Sequence, residues 1–180
     1  TKKKLTANAK NLDFFDAVFF YSSGELDLDD DQKTALLDFV RADGKGILVA
    51  HSGVDTLYTW PEYGEMIGGY FDLHPWNQFE ANVINEDPRH PATAHFPPQF
   101  KLFDEIYQLK NYSRDRVPVL LRLDPPGVDM KKNGVHRTDG DFALAMVRNY
   151  GKGRVFTSVL GHRSEVWETP SIQKMWLEAA

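Results

Sequence analysis

The chain has 180 residues, 42% of them hydrophobic and 26% charged, with a formal net charge of −5 at pH 7. That length supports one domain with a sizeable core and leaves little room for a second. The negative balance excludes a general binder of nucleic-acid backbones, which needs clustered Lys and Arg, and the absence of cysteine removes disulfides, thiolate metal ligands and cysteine nucleophiles together.

No apolar run approaches the roughly 20 residues that cross a bilayer, and no secretory h-region is present. A soluble chain is expected, cytoplasmic or periplasmic, with neither nucleic acid nor membrane as a partner. In chain order, Lys2-Lys3-Lys4 reads as a solvated tail. "AVFFY" (17–21) is a short continuous apolar run, the mark of a strand buried on both faces. The chain then turns helical: Asp29 caps the start, Gln32 answers as the third helical residue, and Gly44 stops it. Leu36, Leu37 and Val40 supply the buried stripe. The acids Asp27, Asp29 and Asp31 suit a helix N-terminus better than a calcium loop, which needs glycine where Gln32 stands.

"GILVA" (46–50) is a second buried strand, and the strand–helix–strand spacing predicts a parallel pair with a right-handed crossover. Residues 55–69 read as a helix interrupted by Pro61. "YFDLHPW" (70–76) and "FEANVI" (79–84) read as short strands or extended segments, and the proline-rich stretch 85–100 as a long ordered loop. "EIYQL" (105–109) and "PVLLRL" (118–123) are strands. Residues 142–160 form two strands joined at Gly151-Lys152-Gly153, a hairpin rather than a phosphate cradle because no helix follows. An amphipathic helix runs from about Thr169 to the end. With no repeat or linker, the expectation is one α/β domain over residues 1–180.

The residues that carry chemistry gather at strand ends. In open α/β sheets, ligands bind outside the carboxyl ends of the strands, where His51, Ser52 and Asp55 fall. Ser52 lacks the flanking glycines of a nucleophile elbow, since Ala50 and Val54 hold those positions. His162 also leaves a buried strand, and Glu165 is placed to orient its imidazole; the alternative is that Glu165 only begins the last helix. His74 lies among aromatics that include Trp76, a setting that suits a sugar face or simply fills the core. Glu105 and Tyr107 share a strand face. His90, His95 and His136 read as solvated or loop-bracing. His51, His74, Glu105 and His162 together would suit a divalent metal such as zinc, provided the fold brings them together.

Three stretches, "GILVAHSGVDTLYTWPEYGEMIGGYFDLHPW", "DPRHPATAHFPPQFKLFDEIYQ" and "NYGKGRVFTSVLGHRSEVWETP", resemble in their order and spacing the ThuA-like (trehalose utilisation) family, within the class I glutamine amidotransferase-like superfamily. The resemblance implies a flavodoxin-like three-layer sandwich around a mainly parallel sheet. It puts His51 where amidotransferases hold their cysteine, and His162 and Glu165 where those enzymes hold His and Glu, with one extra residue between them. Without cysteine, glutaminase chemistry is not expected. Val49 stands where the family usually has glycine, and the family's first strand, loop and helix precede the point where this sequence begins, so an N-terminally incomplete domain is expected. The resemblance implies acid–base chemistry on (keto-)disaccharides or glycosides, as lyase, isomerase or hydrolase. His51, His162 and Glu105 are then the catalytic candidates. His74, Trp76, Tyr107 and Ser52 are the substrate-binding candidates, with Asp55 and Glu165 behind them to fix imidazole tautomers. The alternative is a non-catalytic carbohydrate-binding or accessory protein. The expected partner is a small carbohydrate, and an exposed sheet edge would also favour a homo-oligomer.

Overall fold

The structure, a computed structural model, describes residues 8–180, so the lysine tail lies outside the described residues. Strand β1 (Ala17–Phe20) lies parallel to β2 (Gly46–Ala50), and helix α2 (Asp30–Arg41) connects them after a short first helix, α1 (Ala9–Leu12). A reciprocal cap fixes where α2 begins: the Asp29 carboxylate accepts the Gln32 backbone N–H at 2.8 Å, and the Gln32 side-chain Oε1 accepts the Asp29 backbone N–H at 2.9 Å. Leu36, Leu37, Phe39 and Val40 are buried along it.

The partner on the other side of β2 comes from the far end of the chain. β9 (Gly153–Ser158) pairs parallel with β2, and β8 (Ala143–Tyr150) forms the expected hairpin with β9. Gly151 makes that turn at φ 60°, and a Cβ there would lie 2.2 Å from the Arg41 carbonyl oxygen. β7 (Val119–Leu123), β4 (Gln78–Asn85) and β5 (Gln99–Glu105) complete a seven-stranded sheet in the order β1-β2-β9-β8-β7-β4-β5. Following the pairings across the sheet, β1, β2, β9, β7 and β5 run one way, and β8 and β4 run the other. β3 (Tyr70–Leu73) and β6 (Gln108–Lys110) form a small antiparallel ribbon beside it.

Strand alternation puts helices on both faces. Phe19 and Phe156 meet Trp176 of α5 (Pro170–Ala179), while their neighbours Phe20 and Thr157 meet Tyr63 and the Ile67 carbonyl of α3 (Pro61–Ile67). The result is a three-layer α/β sandwich. Among the described residues, no helix is long and apolar enough to cross a membrane.

Several expectations change. β1 is the edge strand, and Phe19 and Tyr21 are each 50% exposed rather than buried on both faces. Pro61 does not interrupt a helix but starts α3, where its missing N–H costs nothing. The loop expected over residues 85–100 is shorter, because β5 begins at Gln99. Glu105 therefore ends a strand instead of starting one.

Candidate active site

Four segments deliver side chains to one end of the sheet. β2 runs into a tight 3-10 turn, His51–Val54, with His51 at φ 40°, a left-handed backbone that few non-glycine residues adopt. Gly53 makes the turn possible, since a Cβ there would meet Val49 Cγ1 at 2.7 Å and the Phe20 carbonyl at 2.8 Å. From below, the Tyr63 hydroxyl of α3 donates to the Gly53 carbonyl at 2.7 Å.

The buried His51 ring is fixed through both nitrogens. Nδ1 lies 2.7 Å from the Val159 carbonyl, which can only accept, so Nδ1 carries the proton. Burial is the main influence on this imidazole and pulls its pKa below the usual histidine range, against the Val159 carbonyl and the charges of Asp104 and Glu105. The neutral ring therefore aims an Nε2 lone pair into the site, where the Tyr107 hydroxyl donates to it at 2.7 Å. Burial first, and then the neighbouring Glu105 and Asp55 carboxylates, push the Tyr107 pKa up, so the phenol keeps its proton.

Glu105, the last residue of β5, stands at the centre. Its Oε2 is 3.1 Å from His162 Nδ1 and 3.5 Å from His51 Nε2, and its Oε1 is 3.7 Å from His74 Nδ1. The His51 and His162 rings lie 5.3 Å apart, edge to face. His162 follows β9 on a turn that Gly161 makes at φ 117°. Asp104 locks that turn from within the core: its Oδ2 accepts the Gly161 N–H at 2.7 Å and its Oδ1 the Arg163 N–H at 3.2 Å.

One face of the site is walled by the β3–β6 ribbon and the loop at 134–137. Gln108, fully buried, holds them together. Its Nε2 donates to Asp72 Oδ2 at 3.0 Å and to the Gly134 carbonyl at 2.7 Å, while its Oε1 accepts the His136 N–H at 3.0 Å. Phe71 of the ribbon packs on Tyr107, with ring centroids 4.4 Å apart.

Of the residues singled out in the sequence, the structure brings His51, Glu105, His162, His74 and Tyr107 together. Ser52 follows His51 in the same turn, and its carbonyl accepts the Asp55 N–H at 2.9 Å. Asp55 accepts the Tyr58 hydroxyl instead of an imidazole proton. Glu165 is exposed on α4 (Ser164–Glu168) and pairs with Arg163 at 2.6 Å, so Glu105, not Glu165, is the carboxylate beside His162. Trp76 is core: its indole donates to the Asp129 carbonyl at 3.0 Å and packs edge-on against Phe142. Asp104 and Gln108 were missed. Asp104 had a readable signal, a carboxylate on the inward parity of Phe100 and Leu102.

The donor set fits a divalent ion. His51 Nε2, Glu105 Oε2 and His162 Nδ1 all lie within 4.8 Å of one another, and ligands of a zinc ion bonded at 2.0–2.2 Å sit roughly 3–3.5 Å apart. The Nδ1–H of His51 on a backbone carbonyl is the support that a metal-binding imidazole commonly has. His74 reaches Glu105 but stays outside the group of three.

The sequence model of the trehalose utilisation family, ThuA, matches residues 1–180. The chain belongs to the ThuA family. A ThuA-like protein from Bacteroides uniformis superposes with a TM-score of 0.78 at 21% identity, covering 96% of this chain and 71% of that one. Another, from Parabacteroides merdae, gives 0.73 at 18% identity over 94% of this chain and 70% of its own. A protein described as a GMP synthase component from Thermoplasma acidophilum gives 0.58 at 10% identity, over 97% of this chain and 75% of its own, so the ThuA domain shares the amidotransferase-like fold. No curated protein matches the chain.

Proposed function

We propose that this ThuA-family chain is an enzyme of carbohydrate metabolism that uses acid–base chemistry on a keto-disaccharide or keto-glycoside. The observation that carries the proposal is the neutral, buried His51, whose Nε2 lone pair faces the site beside Glu105 and a second imidazole, His162. The family's link to trehalose use supports a sugar as the substrate. A keto group acidifies the C–H next to it. His51 Nε2 removes that proton, the C–H electrons form the new double bond, and the C–O bond one carbon further on breaks. His162 protonates the departing oxygen. Tyr107, held protonated, moves its hydroxyl from Nε2 to a substrate oxygen, and Glu105 keeps the His162 ring in register.

His51, Glu105 and His162 would also hold a divalent ion such as zinc, which would polarise the keto oxygen and leave Tyr107 and His74 as the proton-carrying groups. The test is incubation with 3-keto-trehalose, with and without a chelator and with zinc restored, followed by product analysis. Turnover that His51→Ala and His162→Ala each lower by at least about a hundredfold, leaving a measurable residue, supports the enzyme. Sugar binding without turnover would instead mean an accessory carbohydrate-binding protein, and chelator sensitivity decides whether an ion takes part.

A further inference from the structure

Asp104 is 0% exposed, and among the described residues no Lys or Arg side chain is paired with it. A buried carboxylate compensated mainly by two amide N–H groups is expensive to maintain. If its task were only to tie down a loop, a neutral acceptor would serve at lower cost. The two amides it holds belong to Gly161 and Arg163, the residues on either side of His162. The next residue, Glu105, touches the His162 imidazole itself at 3.1 Å. Two consecutive acids at the end of β5 thus grip one residue, the first by its flanking backbone and the second by its ring.

We propose that Asp104 is a positioning residue for His162, acting through the backbone of residues 161–163; this rests on the reading of His162 as a working group of the site. The Gly161 φ of 117° gives the turn a conformation that most residues avoid, and Trp167 fills the space where a Cβ would stand. Asp104 holds the chain in that conformation.

The variant is Asp104→Asn, which keeps the shape but loses the charge and offers Arg163 a donor where it needs an acceptor. Asp104→Ser serves as the second variant should the first fail to fold. Two measurements need no substrate: amide hydrogen exchange at Gly161 and Arg163, and the NMR signals of the His162 ring, with His136 as the control. Faster exchange at both amides and moved His162 signals, with His136 unchanged, are expected. On 3-keto-trehalose, kcat should fall about 10–100-fold, the scale for losing a partner that orients a working group, with KM little changed. In a His162→Ala background the same substitution should cost no further activity. Unchanged amides and ring signals overturn the proposal, as does an equal loss in the His162→Ala background. If the wild-type protein acts on no sugar, the enzyme reading falls, and the exchange and ring signals still decide for or against Asp104.

Discussion

The Nδ1 of His51 and the carbonyl oxygen of Val159 face each other at 2.7 Å, across 108 residues of sequence, and this bond decides which ring nitrogen faces the site. It also ties the end of β2 to the end of β9. Removing the ring leaves a buried carbonyl without its donor, which costs about 1–3 kcal/mol. His51→Ala is therefore expected to lose stability in urea titration as well as activity, the activity by at least about a hundredfold. At φ 40°, glycine is the better small replacement. His51→Gly should be more stable than His51→Ala by about 1 kcal/mol, the reverse of the usual order.

Glu105 gives the opposite pattern. Its carboxylate is buried among imidazoles and a phenol, and an amide of the same shape carries no charge to desolvate. Glu105→Gln should keep or raise the melting temperature while activity falls on the order of a hundredfold. Calorimetry beside a rate measurement separates the two effects. A loss of both would make Glu105 a structural residue.

Gln108 supports the wall without touching the chemistry. Gln108→Ala leaves the Gly134 carbonyl and the His136 N–H without their buried partner, at a cost of about 1–3 kcal/mol. Amide exchange should speed up at 134–137 and along β3, and hardly at all in β2 or β9.

These residues also show what the sequence could reveal. His51 and His162 were legible because each follows a strand rich in apolar residues, and parallel strands leave a sheet at the same end. Glu165 was misplaced because the turn at Gly161 reorients the chain before α4 begins, which directs that carboxylate to Arg163 and solvent. β5 was obscured by the prolines before it and by Asp104 itself, a charge on the inward face of an otherwise alternating strand. The edge position of β1 was not legible. A short apolar run reads the same at an edge as at a sheet's centre.

Asp141 is held by Arg114 and by the Tyr112 hydroxyl. Burial pushes the Asp141 pKa up, but its hydrogen bonds to Arg114 and Tyr112 and the Arg114 charge outweigh that, leaving it below the ordinary carboxylate value of about 4. A carboxyl with a folded pKa below its unfolded one adds stability above the unfolded value and loses it as pH falls through the folded one. Stability measured from pH 6 downward should fall less steeply near and below pH ~4 in Asp141→Asn than in the wild type. Identical slopes would show that the Arg114 network contributes nothing to acid sensitivity.

The pairing of β2 with β9 also sets an order of events. β2 ends at residue 50 and β9 begins at residue 153, so the strand that leads into His51 has no neighbour on that side until the residues of β9 have been made. Contacts this distant in sequence form late, after their loop-closure entropy has been met. While the chain is being synthesised, the apolar edge of "GILVA" stands open, and neither the Val159 carbonyl nor the Gly161 turn is yet there to meet it. The same geometry that assembles the site from strands far apart in sequence thus makes it slow to form, and exposes the nascent chain to mispairing along that edge.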